Sequence, residues 1–432
     1  MAAATASAPA GGQTAQAAQA AEAAGGPPPA GRLRTPARLA VALGCAVLAM
    51  LGLGAAAATT LAGRQSTATS TTYASEPLVV YVQELYQDLA DADAAAAASI
   101  LAGQVPPAAL TSRYRADIND AEKALAYASR AVAGDDEASG ELADVSTFLP
   151  QYTALIGVAE ANNRQGYPVG AAYLRTASNA LRTTTLPEVK AVVARETAAA
   201  QAGRSSVSGF PSWLLIVALL AALVVVRVWR VLARATRRAV NPGLAVGALI
   251  TAGVVIWAFA AALGAGRAMD SAGGDFTRVS ALLDQRATLA RAQTDQAFTL
   301  IDRGEDGGQD ATNQADAINT LKAAAGGDPL WKAYFSAVDT FNKDVQGSNY
   351  LVAVDESVGS GASQGNGATF AAAAALDKTL VGASNAAQDR FTRDGHQAVG
   401  DLSGGLWAGI VVGLLAAALA ALGINRRLAE YR

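Results

Sequence analysis

The sequence predicts an all-α membrane protein with four transmembrane helices and two tandem extracellular four-helix-bundle-like domains. Three observations predict this fold class. The 432 residues are 52% hydrophobic and only 16% charged, which is more apolar than an ordinary soluble domain. Four uncharged runs are long enough to cross a bilayer. The two long segments that follow the first and third runs carry apolar residues at helical spacing.

The four runs contain no Asp, Glu, Lys or Arg, and a hydrocarbon core needs roughly 17 to 25 apolar residues. The predicted transmembrane helices cover 39–61, 210–229, 243–266 and 402–424, the second extending just past its uncharged run. Four buried helices of a soluble protein are the disfavoured alternative. The first run could also be a cleaved signal peptide, because the small residues Ala56, Ala57 and Ala58 lie near its end.

The distribution of cations predicts the orientation, since cytoplasmic flanks hold an excess of Lys and Arg. The two chain ends and the connection between the second and third helices hold eleven basic residues against only Glu22 and Glu430. We therefore expect a multi-pass protein of the cell membrane with both termini cytoplasmic. Its inner parts are a disordered tail (1–38), a basic loop (230–242) and a short tail (425–432).

The inner loop offers a cluster of arginines as a cytoplasmic contact surface. These candidate contact residues are Arg230, Arg234, Arg237 and Arg238. They could meet an acidic partner protein or anionic lipid headgroups. The loop is too short to fold as a catalytic domain, so any signal needs a separate protein to carry it onward.

The first loop, 62–209, is predicted to be an extracellular helical domain. Leu78, Val82, Leu85 and Leu89 alternate by four and three, which places one apolar seam on a helix. A second seam runs through 110–128, a third helix is marked around 152–159 and a fourth around 173–181. Four such helices are enough for a bundle.

The second loop, 267–401, is predicted to be a second extracellular helical domain. A seam runs through 279–301, and Asp328 before Pro329 marks the start of a later helix. The stretch 89–92 is similar to 289–292, and each is followed by a glycine about a dozen residues later. We interpret the chain as one span, domain and span plan used twice, so that the two modules could form a pseudo-dimer.

The composition argues against most catalytic machinery. His396 and Cys45 are the only His and Cys, which excludes zinc sites built from four cysteines or from two cysteines and two histidines. No ionisable side chain other than the Cys45 thiol lies near the middle of a span, which argues against a transporter. We expect no catalytic residue, no metal site, no cofactor and no nucleic-acid partner.

Three further features are open to a structural or a functional interpretation. The acidic stretches 135–137 and 302–310 lack the EF-hand spacing and favour solvated turns over a Ca²⁺ site, and the Gly-rich stretch 359–365 is interpreted as a flexible loop. Gly405, Gly409 and Gly413 form a double GxxxG run that permits close helix approach, unless they have no packing role.

One stretch resembles a known family. Residues 152–178 read YTALIGVAEANNRQGYPVGAAYLRTAS, which is a helix, a short link and another helix. This stretch, together with the plan of four spans and two helical loops, is similar to the GlnX-type membrane proteins of high-GC Gram-positive bacteria. The resemblance implies an amino-acid-sensing relay. Its partners would be an extracellular GlnH-type solute-binding lipoprotein and a cytoplasmic PknG-type serine/threonine kinase.

The resemblance also implies where ligand or partner contact should lie. The candidate binding residues are Asn162, Arg164, Tyr167, Tyr173 and Arg175. The alternative is that the two tyrosines pack the bundle while the two arginines are solvated. The second loop contains no clear copy of this link, so it is open whether both modules bind.

We therefore expect a non-enzymatic transmembrane sensor or adaptor whose spans, in a lipid bilayer, carry a helix displacement inward. The alternative is a structural scaffold of the cell envelope without a switch. An enzyme or permease is disfavoured because catalytic groups are few and no Asp, Glu, Lys, Arg or His lies near the middle of a span.

Overall fold

The computed structural model describes residues 35–132, 136–236, 242–302, 307–359 and 368–429. All secondary structure in these ranges is helical, and none of them contains a strand, which confirms the predicted all-α class. The predicted N-terminal tail falls mostly on residues 1–34, which lie outside the described ranges. The same holds for most of the Gly-rich stretch 359–365, for 303–306 and for residues 430–432.

Thirteen α-helices are described, and two five-residue π-helical segments, Thr71–Ser75 and Leu181–Thr185, join neighbouring ones. The helices of the first half are α1 Thr35–Ser70, α2 Glu76–Leu101, α3 Ala108–Ala131, α4 Asp136–Arg164, α5 Val169–Ala180, α6 Leu186–Ser208 and α7 Ser212–Thr236. Those of the second half are α8 Pro242–Ile301, α9 Gly307–Ala324, α10 Pro329–Gln346, α11 Tyr350–Val358, α12 Ala368–Leu402 and α13 Gly405–Ala429.

Four helical stretches among the described residues are long and apolar enough to cross a membrane. They lie within Ala40–Leu101, Val169–Val231, Ala245–Ile301 and Ala368–Leu422, and they contain the four predicted spans almost completely. This arrangement fits a multi-pass membrane protein. The orientation of the termini stays a prediction.

The described residues divide into two compact units. The first, here called the span unit, contains the described parts of 1–56, 213–255 and 408–432. Its core includes Met50, Val228 and Ala416. A Cβ atom on Gly54 would lie 2.9 Å from the Gly409 carbonyl oxygen and 2.9 Å from the Gly413 Cα, so two glycines of the predicted run do allow α1 and α13 to approach closely.

The second unit, here called the loop unit, contains the described parts of 57–212 and 256–407. The seam residues Leu78, Val82, Leu85 and Leu89 of α2 are all buried, which is what their spacing predicted. Helices α3 and α6 pack along α2, and α4 pairs with α5. Helix α4 begins at Asp136, well before the apolar positions that marked the third helix.

The second loop contains five helical segments, the outer part of α8 and then α9 to α12, and the first loop also contains five, α2 to α6. Helix α10 begins where predicted, because the Asp328 side chain accepts a hydrogen bond from the Leu330 amide at 2.8 Å and caps the helix. Trp331, Tyr334 and Val338 of α10 pack with Leu376 and Leu380 of α12.

The two loops share part of their buried core, although α8, α9, α10 and α12 also form a cluster within the second loop. Ala290, Ala297 and Phe298 of α8 belong to the same buried cluster as Leu85 and Leu89 of α2. Nearer the start of α2, Val80 packs with Val279 and Leu283 of α8. The small alanine side chains allow the α2 and α8 backbones to lie close together.

The first π-helical segment lies at a tight helix junction. A Cβ atom on Gly203 would lie 2.2 Å from the Thr71 Oγ1, and one on Gly395 would lie 2.8 Å from the Thr72 Cγ2. Thr71 and Thr72 are themselves buried. The extra residue of a π turn thus directs two threonines onto glycines of α6 and α12, and such turns are frequent at functional positions.

Candidate functional site

The link between α4 and α5 is a tight turn. The Tyr167 amide donates to the Asn162 carbonyl at 2.9 Å, and the Gly166 amide donates to the Asn163 carbonyl at 2.9 Å. Gly166 has a φ of +76°, which favours glycine, and a Cβ atom there would lie 2.8 Å from the Gln104 Nε2. The turn therefore requires its glycine.

Asn163 connects this link to the end of α2 through two hydrogen bonds. Its Nδ2 donates to the Ile100 carbonyl at 3.1 Å and to the Gly103 carbonyl at 2.9 Å. Carbonyls at a helix C-terminus lack intrahelical donors, and the Asn163 amide supplies one to Gly103 and a second one to Ile100, which also accepts from the Gly103 amide at 3.1 Å. Sequence analysis did not single out Asn163. One feature of the sequence indicates its role, namely a side-chain amide three residues before Gly166 of the link.

A cavity of about 480 Å³ lies beside the link, at one end of the loop unit. Three turns or helix ends of the first loop and two of the second surround it. Its polar groups come from Gln104, Asn163, Tyr167 and Tyr350, and none of its lining side chains carries a formal charge. Its volume is within the range of small-molecule sites. We call it the end cavity.

The structure separates the five predicted binding residues. Tyr167 is 55% exposed and lines the end cavity. Tyr173 is exposed as well, so neither tyrosine packs the bundle core. Arg164 is exposed, whereas the Asn162 Nδ2 donates to the Val158 carbonyl of its own helix at 2.8 Å. Their role in binding stays a prediction.

Arg175 connects the two loops rather than facing solvent alone. Its guanidinium forms an ion pair with Asp302, which follows α8, and lies 5.7 Å from the centre of the Phe298 ring. A guanidinium over an aromatic face is attracted by the ring electrons. The same residue therefore ties the first loop to the end of α8.

A polar network lies between the loops, and the sequence did not reveal it. Arg113 donates to Asp91 at 2.9 Å, and the Gln87 Nε2 donates to the same carboxylate at 2.7 Å. Arg286, from the second loop, donates to the Gln87 Oε1 at 2.5 Å and to Asp377 at 2.7 Å. Two guanidiniums thus bridge α2, α3, α8 and α12.

Carboxylates outnumber cations around this network, and burial makes their charge costly. Burial, and then the charges of Asp91, Asp117 and Glu84, raise the pKa of Asp88 to about 8, although Arg286 opposes the shift. Burial and Asp91 raise the pKa of Asp117 to about 7. Both carboxyls therefore titrate close to neutral pH.

A second buried network holds α4 and α5 against α2. The carboxylate of Asp93 accepts from the Tyr152 hydroxyl at 3.2 Å and from the Ser178 hydroxyl at 2.7 Å. Arg182, in the second π-helical segment, pairs with Asp295 of α8. Burial raises the pKa of Asp93, and it raises that of Asp295 to about 6 although Arg182 opposes the shift.

The predicted cytoplasmic contact residues are described only in part. Arg230 and Arg234 are exposed on α7. Arg237 and Arg238 lie outside the described residues. In the loop unit, the His396 ring stacks on Tyr73 with 5.1 Å between ring centres. No group of three or more His, Cys, Asp and Glu side chains in the described ranges is arranged to hold a metal ion.

Comparison with known proteins adds one match. Residues 67–205 match the family described as "Actinobacterial sensor domain". No curated protein and no solved structure matches the chain. The matched segment contains the link, Asn163, Arg175 and most of α2 to α6. A sensor-domain match within a chain that has four candidate membrane helices fits a sensor membrane protein.

Proposed function

We propose that this chain is a non-enzymatic transmembrane sensor or adaptor. Its two loops lie outside the cell and receive a solute-binding lipoprotein that reports amino-acid availability. Its spans pass the resulting displacement to a cytoplasmic serine/threonine kinase. The observation that carries the proposal is the sensor-domain match over 67–205, a segment that connects the first two apolar helices.

The lining of the end cavity supports docking of a protein rather than binding of a free amino acid. A free amino acid carries an ammonium and a carboxylate, and both would lose hydration in a cavity whose lining side chains are uncharged. Exposed apolar side chains occur beside the cavity, with Val105 of the turn after α2 86% exposed and Leu351 at the start of α11 80% exposed. Apolar side chains around a concave site are typical of protein contact surfaces.

The helices support transmission from the loops to the spans. Helix α8 is continuous from Pro242 to Ile301. It therefore contains both a predicted span and the residues that pack on α2, which include Ala290 and Phe298. Arg286 and Arg175 link this region to the first loop. Ion pairs and packed helices of this kind can adopt two discrete arrangements, which is what a relay requires.

The kinase partner is proposed because the inner surface is small and basic. The predicted loop 230–242 is too short to form a catalytic domain, and Arg230 and Arg234 are exposed at its start. A phosphorylating activity would therefore come from a separate protein.

Affinity purification of the tagged full chain from its native cells, followed by mass spectrometry, tests the proposal. We expect a solute-binding lipoprotein and a serine/threonine kinase to co-purify, and Tyr167→Ala to lose the lipoprotein but retain the kinase. Tyr127→Ala, which changes a tyrosine of similar exposure on α3, is the matched control. Recovery of envelope-assembly proteins alone would contradict the relay and favour a scaffold.

A further inference from the structure

A second cavity lies between α3 and α4, within the segment that matches the sensor domain. It has a volume of about 330 Å³ and shares no lining residue with the end cavity. Its apolar wall is formed by Ile118, Ile156 and the backbone of Gly157. We call it the α3–α4 cleft.

Three charged side chains line the cleft, two of them exposed and one half-buried. Arg115, Glu122 and Glu160 all line it, and none of them forms an ion pair with another described residue. The nearby Arg113, by contrast, is paired with Asp91 and lies 3.7 Å from Asp117. Most charged groups in this region are used within the fold, whereas those of the cleft are not.

The Tyr114 side chain lines the cleft, and its hydroxyl lies behind the cleft surface. The hydroxyl of Tyr114 is buried and has no hydrogen-bond partner among the described residues. Burial, and then the nearby charge of Glu160, raise the pKa of Tyr114, so the phenol stays protonated and can donate. Buried polar atoms in proteins nearly always have a partner, so this donor is available to a ligand that enters the cleft deeply enough to reach it.

The balance of charge indicates the class of ligand. Two carboxylates and one guanidinium give the cleft a net negative charge, and the half-buried Ile118 provides apolar contact, while Ile156 is only 1% exposed. We propose that the α3–α4 cleft binds a small organic ammonium compound with an apolar body, with its ammonium at Glu122 and Glu160. Arg115 would contact a carboxylate if the ligand is a zwitterion. The site is separate from the proposed docking at the end cavity, and it could exist without it.

Three probes with the same phenyl body test the assignment on the purified full chain. Phenethylamine carries only an ammonium, phenylalanine carries an ammonium and a carboxylate, and 3-phenylpropionate carries only a carboxylate. Titration calorimetry should detect binding of phenethylamine and no binding of 3-phenylpropionate. Binding of phenylalanine in addition would identify a zwitterion site. Failure of phenethylamine and phenylalanine to bind, or equal binding of all three probes, would overturn the proposal.

Variants locate the binding within the cleft. Glu160→Gln should weaken phenethylamine binding by about tenfold or more, which corresponds to the loss of one charged contact. Glu188→Gln, a neutralised glutamate on α6, is the matched control and should leave the affinity unchanged. Arg115→Gln should weaken only phenylalanine. An affinity that is the same in Glu160→Gln and in the unmodified chain would place the binding elsewhere and overturn the assignment.

Tyr114→Phe separates binding from folding. Because the hydroxyl has no protein partner, its removal should leave the unfolding temperature of the ligand-free protein unchanged or slightly raised. The same change should weaken phenethylamine binding. An unchanged affinity would indicate that the ligand does not reach the buried hydroxyl, and it would remove Tyr114 from the proposed site.

Discussion

Arg204 of α6 donates a hydrogen bond to Glu76 of α2 across 2.9 Å, and the two side chains are only 8% and 0% exposed. The guanidinium also lies 4.5 Å from the centre of the Phe276 ring on α8. The pair therefore joins three helices beside the first π-helical segment. The second carboxylate oxygen of Glu76 has no partner among the described residues, and burial raises the pKa of Glu76 although Arg204 opposes the shift.

Removing one member of this pair should be strongly destabilising. Arg204→Met leaves the Glu76 carboxylate buried without a counter-ion, which typically costs about 3–5 kcal/mol of unfolding free energy. Changing both, as Arg204→Met with Glu76→Leu, should restore most of the loss. Denaturant unfolding in detergent measures this. The control is Arg195→Met, which breaks a more exposed pair with Glu141 and should cost under about 1 kcal/mol. Equal losses for the two single variants would contradict this account of the pair.

The carboxylates between the loops should make stability depend on pH. The pKa of Asp88 rises from 3.8 to about 8 and that of Asp117 to about 7 in the folded chain. The folded state then binds more protons than the unfolded state. Their contribution is fully present below the unfolded pKa and is lost as the pH rises through about 7 to 8. We expect the denaturant concentration at the unfolding midpoint to decrease as the pH is raised from about 6 to about 9.

Asp88→Asn should flatten this pH dependence, because the amide does not titrate. Asp144→Asn, on α4, changes a carboxylate away from the network and should keep the slope. The charged groups around Asp88 and Asp117 include Glu84, Asp91, Arg113, Asp120, Lys123, Arg286 and Asp377. A midpoint that rises with pH in the unmodified protein would show that the pairing of these carboxylates outweighs their burial.

Helix contact in the span unit should depend on Gly54. A Cβ atom there would lie 2.9 Å from backbone atoms of Gly409 and Gly413, so Gly54→Ala forces α1 and α13 apart. Overpacking of this kind costs about 1–3 kcal/mol. Gly52→Ala is the matched control, since no atom lies within 4 Å of its added Cβ atom. The thermal unfolding temperature of Gly52→Ala should stay the same or rise slightly, because Ala has a better helix propensity than Gly. Equal unfolding temperatures for the two variants would rule out the close contact.

Tyr152 and Tyr334 are both fully buried, but only the first has a hydrogen-bond partner. Tyr152→Phe removes a donor from Asp93 and should cost about 1–3 kcal/mol. Tyr334→Phe removes a hydroxyl that has no partner among the described residues and should be neutral or stabilising. Unfolding free energies measured side by side decide this comparison. A larger loss for Tyr334→Phe would mean that its hydroxyl is satisfied by water.

The sequence was sufficient to predict the helices whose apolar positions repeat, but it marked neither α6 nor α9, α11 and α12 of the loops. Leu78, Val82, Leu85 and Leu89 are buried at the predicted spacing, and the Asp328 cap marks the start of α10 as expected. The start of α4 was missed because its first half contains few large apolar residues, although Leu142 and Val145 are buried. The π-helical segments were also missed, since nothing in five local residues distinguishes them from an α-helix.

The contacts between the loops were beyond sequence analysis for a different reason. Charged residues usually lie in solvent, so nothing local marked Asp91, Arg113 and Arg286 as interior. Only the packing of α8 on α2 places them together. The end cavity likewise forms from turns that are distant in sequence. Of the five predicted binding residues, Tyr167 alone lines it. The link was recognisable from its residues, whereas its neighbours were determined by tertiary structure.

The most direct measurement of the relay is the rate of disulfide formation between two spans. Leu53 and Val412 line the same small cavity of the span unit, so Leu53→Cys and Val412→Cys can be combined with Cys45→Ala. The rate is compared in intact cells with and without extracellular amino acids, and again with Tyr167→Ala. We predict that amino acids change the rate and that Tyr167→Ala abolishes the change. A rate that is the same with and without amino acids would contradict a sensor and leave a static scaffold.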